Sequence, residues 1–572
     1  MLPRSLWSST FSAPFLVLSF LISTSSGRLP DGPAHGNMPR RPTIPEVRLG
    51  ARASLPVVDV NGNELPPYNT VYHFDQLIDH NRPYLGTFKQ RFWHTSEYYK
   101  PGGPIILSTP GERNADFYFS YLTNMTIMGV LAQELNGATI VLEHRFYGQS
   151  NPYPDLSVES LRVHTIQQAI DDLQYFAENV VLPMPGGDKV APRMAPWIFA
   201  GGSYAGALAS WAMVSKPNLF FAAYSSSGVV QARVDFWEYF EPVREYMPRN
   251  CSLDVEAAIS QVDKIFQSGN TTAMDSIKKS FGLSDLTNSI DFLGALRNNL
   301  WDWQQLQPST GSMSIFYRFC DQLQLKPGAA PQPTGWGADY ALGAWGRFWR
   351  REYYPYLCGI DDAETCLGTA NPALDYWTDT SPGNSARAWF WTVCNEVGYL
   401  QADQNAAPEG KPSLVSRLVQ PSYDLRQCQL MFPKAFSKVP TPRADLVNLL
   451  YKGWNVNLDR IIFVNGARDP WRDTTMSARG QQPRVTSKQQ VHLTDGFHCS
   501  DLTLDGAVDP SIAEVHRKAV ESMRKWLRSY RPTPRPQNPV KPPRPPPPHL
   551  WRPFRTKGRK SKKTNAWMRD GQ

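Results

Sequence analysis

From Trp197 to Gly206 the chain reads Trp-Ile-Phe-Ala-Gly-Gly-Ser-Tyr-Ala-Gly, an apolar run ending in a serine set among small side chains and followed by a helical pattern to Lys216. A strand that turns at once into a helix has no room for bulk at the turn. Gly201 and Ala205 therefore bracket Ser203, whose Oγ is held out at the helix N-terminus. Ala205 stands where the common Gly-x-Ser-x-Gly pattern has its last glycine. Such a turn needs a parallel sheet around it, and the chain offers short apolar runs at 104–109, 138–143, 197–200, 222–225, 460–464 and 490–493. Between the second and third, Ile166, Ala169, Ile170, Leu173 and Phe176 recur at spacings of three and four, the stripe of an amphipathic helix. Strand, helix, strand predicts an α/β class with a sheet covered on both faces.

The strand signals stop between about 230 and 437. That stretch is Trp-rich and helical in pattern, and it holds six of the seven cysteines, at 251, 320, 358, 366, 394 and 428, with the seventh at 499. At 572 residues the chain exceeds the usual single domain. We expect an α/β-hydrolase fold in which residues 72–229 and 438–530 form the catalytic domain and 230–437 a helical cap inserted over the site. An exposed serine is a poor nucleophile until a histidine takes its proton and a carboxylate orients that histidine. In this fold the order along the chain is serine, acid, histidine. Asp469 follows the run at 460–464 and His498 follows the run at 490–493. Their rivals are weaker, because His492 lies inside its strand and Asp473 lies beyond the turn. Donors for a tetrahedral oxyanion, each worth roughly 3–4 kcal/mol, are expected from the backbone N–H of Tyr204 and, from the loop after the first run, of Gly111.

On Phe74-Asp75-Gln76-Leu77-Ile78-Asp79-His80, Thr87-Phe88-Lys89-Gln90-Arg91, Glu143-His144-Arg145-Phe146-Tyr147-Gly148, Gly201-Gly202-Ser203-Tyr204, Cys394-Asn395-Glu396, Asn465-Gly466, Asp469-Pro470-Trp471 and Gly496-Phe497-His498, the chain resembles the prolylcarboxypeptidase family of serine peptidases, across about 72–530. That family includes Pro-X carboxypeptidases, dipeptidyl peptidases and prolyl endopeptidases. The resemblance puts the triad on Ser203, Asp469 and His498. It also implies a proline pocket with Trp471 in its wall, Glu112 and Glu396 as polar groups near the substrate, and proline-containing peptides as the substrate. The departures are Ala205 for glycine and a long C-terminal tail. A carboxylesterase or lipase with the same triad is the rival reading, and a non-catalytic binding protein the third.

The two ends carry different information. Arg4, the apolar stretch 15–22 and the small residues 23–27 read as a signal peptide over 1–26. The Pro-, Gly- and Arg-rich segment 27–71 reads as a mobile linker or a propeptide rather than a packed element. No later stretch reaches the roughly 20 apolar residues of a membrane span, so we expect an exported protein, secreted or vacuolar/lysosomal, without a transmembrane anchor. In that compartment the cysteines read as disulfides with one left over, and Asn124, Asn250 and Asn270 as glycosylation sites. The net charge of +8 is misleading. Residues 531–572 hold twelve Lys/Arg against one Asp, which is +11 and leaves the rest of the chain at −3. The tail reads as a disordered Pro/Arg/Lys-rich segment, and the acidic body argues against nucleic acid as a partner. No metal-type cysteine spacing occurs and no cofactor is expected. Oligomeric state is left open, a homodimer included.

Overall fold

The computed structural model describes residues 35–50, 55–401 and 410–533. The expected signal peptide and nearly all of the basic tail lie outside these residues. An eight-stranded sheet organises the molecule: β1 (Tyr72–Leu77), β2 (Thr87–Thr95), β3 (Ile105–Ser108), β4 (Ala138–Leu142), β5 (Trp197–Gly202), β6 (Ala222–Ser226), β7 (Ile461–Gly466) and β8 (Gln489–Thr494), in the order β1-β2-β4-β3-β5-β6-β7-β8. β1 with β2 and β2 with β4 run antiparallel, and every other pair is parallel. This is the α/β-hydrolase order.

The six apolar runs of the sequence are β3 to β8. In β7 the alternation of a strand divides the residues between two cores, with Ile461 and Phe463 on one face and Ile462 and Val464 on the other. Helices Ile166–Asn179 and Ser203–Ser215 cover the first face, and Ile127–Leu135 and Pro510–Leu527 cover the second. The insertion between β6 and β7 is mainly helical. All three disulfides lie inside it: Cys251–Cys320, Cys358–Cys366 and Cys394–Cys428. Cys499 is free and buried. Closing loops of these sizes stabilises a fold by about 2–4 kcal/mol each in the chain-entropy picture.

The motif that starts at Glu143 works as a clamp rather than as chemistry. The Glu143 carboxylate accepts two bonds from Arg91, at 2.9 and 2.6 Å, and one from Ala115 N–H at 3.0 Å. That last bond ties down the loop after β3, which passes beside Ser203. A side chain at Gly148 would run into the same carboxylate, so glycine is required there. Arg145 pairs with Asp172 and pins the helix Ile166–Asn179 to the sheet edge.

The expectation that 27–71 is unpacked is corrected over its described residues. Residues 35–50 are packed, with His35, Asn37, Met38 and Ile44 buried. Residues 55–71 include a short strand pair, Val57–Val58 with Glu64–Leu65, and Tyr68 is buried. Prolines and arginines read as unpacked because they suit no regular element, but this stretch is held by side chains of its neighbours, which local composition does not reveal.

Candidate active site

Ser203 sits at the junction of β5 and its helix with φ +59°, a left-handed conformation that a serine keeps only when its surroundings enforce it. The enforcement is visible at the glycines. A side chain at Gly201 would strike the Ala205 carbonyl, and one at Gly206 would lie 2.8 Å from the Ser226 carbonyl oxygen. Ala205 fits in full burial without a positive φ, so the missing glycine of the motif does no harm.

His498 follows β8 and Asp469 follows β7, so the parallel pairing of the two strands delivers both side chains to one end of the sheet. Ser203 Oγ lies 2.8 Å from His498 Nε2, and His498 Nδ1 lies 2.9 Å from Asp469 Oδ1. Asp469 Oδ1 also accepts the Trp471 N–H at 2.8 Å. With Nδ1–H donated to the carboxylate, Nε2 is left to accept from the serine hydroxyl. Burial by itself lowers the His498 pKa. The Asp469 carboxylate outweighs it and holds the imidazole well above its ordinary value.

Trp471 closes one side of this constellation, its ring 6.3 Å from that of His498. Phe236, Tyr239 and Tyr399 pack around it with centroids 5.4–5.5 Å away. Its indole N–H donates to Gln304 Oε1 at 2.7 Å, and the Tyr239 hydroxyl reaches the same oxygen at 3.0 Å. Of this aromatic box only Trp471 was expected. The other three rings, and Gln304 that holds the indole, come from the insertion.

The serine carboxypeptidase S28 family model matches residues 74–305 and 348–520. The chain belongs to the serine carboxypeptidase S28 family. "Serine protease vicPa" of Bipolaris victoriae (strain FI3) is 34% identical, over 80% of this chain and 88% of the relative. "Probable extracellular serine carboxypeptidase" of Arthroderma benhamiae is 32% identical, over 80% of this chain and 67% of that protein. The human "Thymus-specific serine protease" is 27% identical, over 79% of this chain and 86% of its own length. This S28 protein is a serine peptidase.

The remaining expected residues fall in different places in the S28 chain. Tyr204 is the second residue of the helix at the elbow, which begins at Ser203. Gly111 lies against that elbow, where a side chain would meet Tyr204 Cδ1 at 3.2 Å, but its own N–H is turned to Thr109 Oγ1 at 3.2 Å. Glu112 is buried, and that burial raises its carboxyl to a pKa of about 8 against the opposing charges of Arg41, Arg113 and His498. Its Oε1 has no hydrogen-bond partner among the described residues. Glu396 makes no hydrogen bond to Ser203, Asp469 or His498 among the described residues. It accepts the Ile166 N–H at 3.1 Å and lines a separate groove with Arg443; burial raises its pKa to about 7. Of the sequons, Asn270 is exposed and caps a helix, while Asn124 and Asn250 are partly buried.

Proposed function

We propose that this S28 peptidase is exported and hydrolyses peptide bonds on the carboxyl side of proline, through an acyl-enzyme on Ser203. The observation that carries this reading is the aromatic box of Trp471, Phe236, Tyr239 and Tyr399 beside His498. A pyrrolidine ring is flat, apolar and lacks an N–H, so aromatic walls suit it and no backbone acceptor is needed for it. Ser203 Oγ attacks the scissile carbonyl while His498 Nε2 takes its proton. Asp469 orients the imidazole and stabilises the imidazolium. The Tyr204 N–H, at a helix N-terminus, is aimed at the developing oxyanion. His498 then passes the proton to the leaving amine, and water hydrolyses the acyl-enzyme by the same relay. Glu112, neutral at pH 7 with a pKa of about 8, presents a carboxyl group to the substrate near His498. The extracellular designation of one relative and the apolar N-terminal stretch support export.

The test is a peptide set with proline placed internally, second from the N-terminus or next to last, with products identified by mass spectrometry. Cuts after proline are expected, and their positions separate endopeptidase, dipeptidyl and carboxypeptidase action. Intact peptides beside rapid hydrolysis of simple esters would transfer the protein to the esterases.

A further inference from the structure

Ser203 and Asp469 are 0% exposed and His498 is 1% exposed. Side chains this enclosed are reached only through the cleft above them, so the segments that pack beside that cleft decide what enters. The segment 35–50 passes next to the site, touching Glu112 and Gln304 and reaching Gly202 at the elbow. It is held from both sides. On the insertion side, Asn37 Nδ2 donates to the carbonyls of Asp291 (2.9 Å) and Leu367 (2.6 Å), and His35 Nε2 bonds the Gly368 carbonyl at 3.0 Å. Gln401 takes the Arg40 backbone at two points, accepting its N–H and donating to its carbonyl, each at 2.9 Å. On the catalytic side, Arg41 Nη1 donates to the Glu112 carbonyl at 3.1 Å, and the Tyr121 hydroxyl donates to the Pro45 carbonyl at 2.5 Å.

The middle of the segment is next to the aromatic box. Gln304 Nε2 donates to the Arg41 carbonyl at 2.8 Å while Gln304 Oε1 holds the Trp471 indole. Beyond it Ile44 lies below the elbow, in the space a side chain at Gly202 would claim. Pro39 and Pro42 are both buried. A proline-containing stretch whose backbone is bonded to Gln401 and Gln304 is what a peptide substrate would present to the same walls. The segment also lies outside the residues that match the family model, which begin at 74.

We propose that residues 35–50 are a built-in inhibitor that occupies the substrate cleft of this chain and holds its turnover about tenfold or more below that reached once the segment is withdrawn or cut. The proposal rests on the assignment of the active site made above. The segment's hydrogen bonds to Gln401 and Gln304 then mark the subsites that receive the substrate backbone.

The test compares the full chain with Asn37→Ala, Tyr121→Phe and the double variant. Asn37→Ala removes two bonds to the insertion, and Tyr121→Phe removes one on the catalytic side while keeping the ring, which safeguards folding. The readout is the rate of labelling of Ser203 by a fluorophosphonate, with thermal melting as a control. Labelling of the double variant is expected to rise about tenfold or more, as loss of hydrogen bonds on both sides of the segment implies, and an added peptide of sequence 35–50 should slow it again. Equal labelling of the full chain and the folded variants would overturn the proposal. Failure of every folded form to label would remove the active-site assignment and the inhibitor with it. Faster labelling with proline peptides left intact would uphold the inhibitor and remove only the substrate reading.

Discussion

Trp471 is fixed from several directions at once. Its backbone N–H is bonded to the carboxylate that orients His498, its indole N–H is bonded to Gln304, and three aromatic rings hold its faces and edges. Such a side chain is a rigid wall, and rigid walls discriminate between substrates. For Trp471→Ala the ratio of kcat/KM for proline over alanine at the cleaved position is expected to fall by 10- to 100-fold, the span for apolar contacts of this size. A ratio is used because it is insensitive to any loss of folded protein. An unchanged ratio would contradict a role for Trp471 in the proposed proline preference. Ser203, Asp469 and His498 were legible in the sequence because each directly follows an apolar run, so local pattern carried them. Phe236, Tyr239, Gln304 and Tyr399 were not, because they reach the site through the packing of the insertion and no spacing among them records it. Which cavity Glu396 faces was not legible for a related reason: a local motif fixes an element, and tertiary packing decides where that element points.

Among the elements, the segment 35–50 carries a pH dependence in His35. The ring is buried against Tyr376 and Trp377 with its Nε2 on the Gly368 carbonyl, and its Nδ1 accepts the Asn37 N–H at 3.2 Å. A proton on Nδ1 would face that N–H, and burial lowers the His35 pKa to about 4. Undocked, the imidazole titrates near 6.5. The docked segment therefore holds a neutral ring, so its stability is fully present above about pH 6.5 and falls as pH drops toward 4, by roughly 3 kcal/mol in all. Hydrogen exchange of the amides of residues 35–45, corrected for intrinsic rates, is expected to lose roughly 50- to 100-fold of protection between pH 7 and 4.5. His35→Phe should abolish that dependence. Equal protection at the two pH values would contradict it. Strands β3 to β8 were legible as apolar runs because parallel strands are buried on both faces. β1 and β2 were not read as strands, since β1 alternates partly buried and exposed positions and β2 buries the polar Gln90, Arg91 and His94.

For the whole molecule, the division of labour follows the sheet. The parallel strands put the elbow of β5 and the ends of β7 and β8 together at one end of the sheet, and the insertion between β6 and β7 supplies Phe236, Tyr239 and Tyr399 around Trp471. The Trp-rich composition and the cysteine distribution announced that insertion, and its three disulfides hold it to one shape over the site. The account stands on Ser203 as the group that attacks the carbonyl after proline. The most direct measurement is turnover of a proline-containing peptide by Ser203→Ala beside the unaltered chain, with matched melting curves. A loss of at least about 10⁴-fold is expected, as for removal of a triad serine in other hydrolases. Turnover within tenfold of the unaltered chain in a folded Ser203→Ala protein would contradict it.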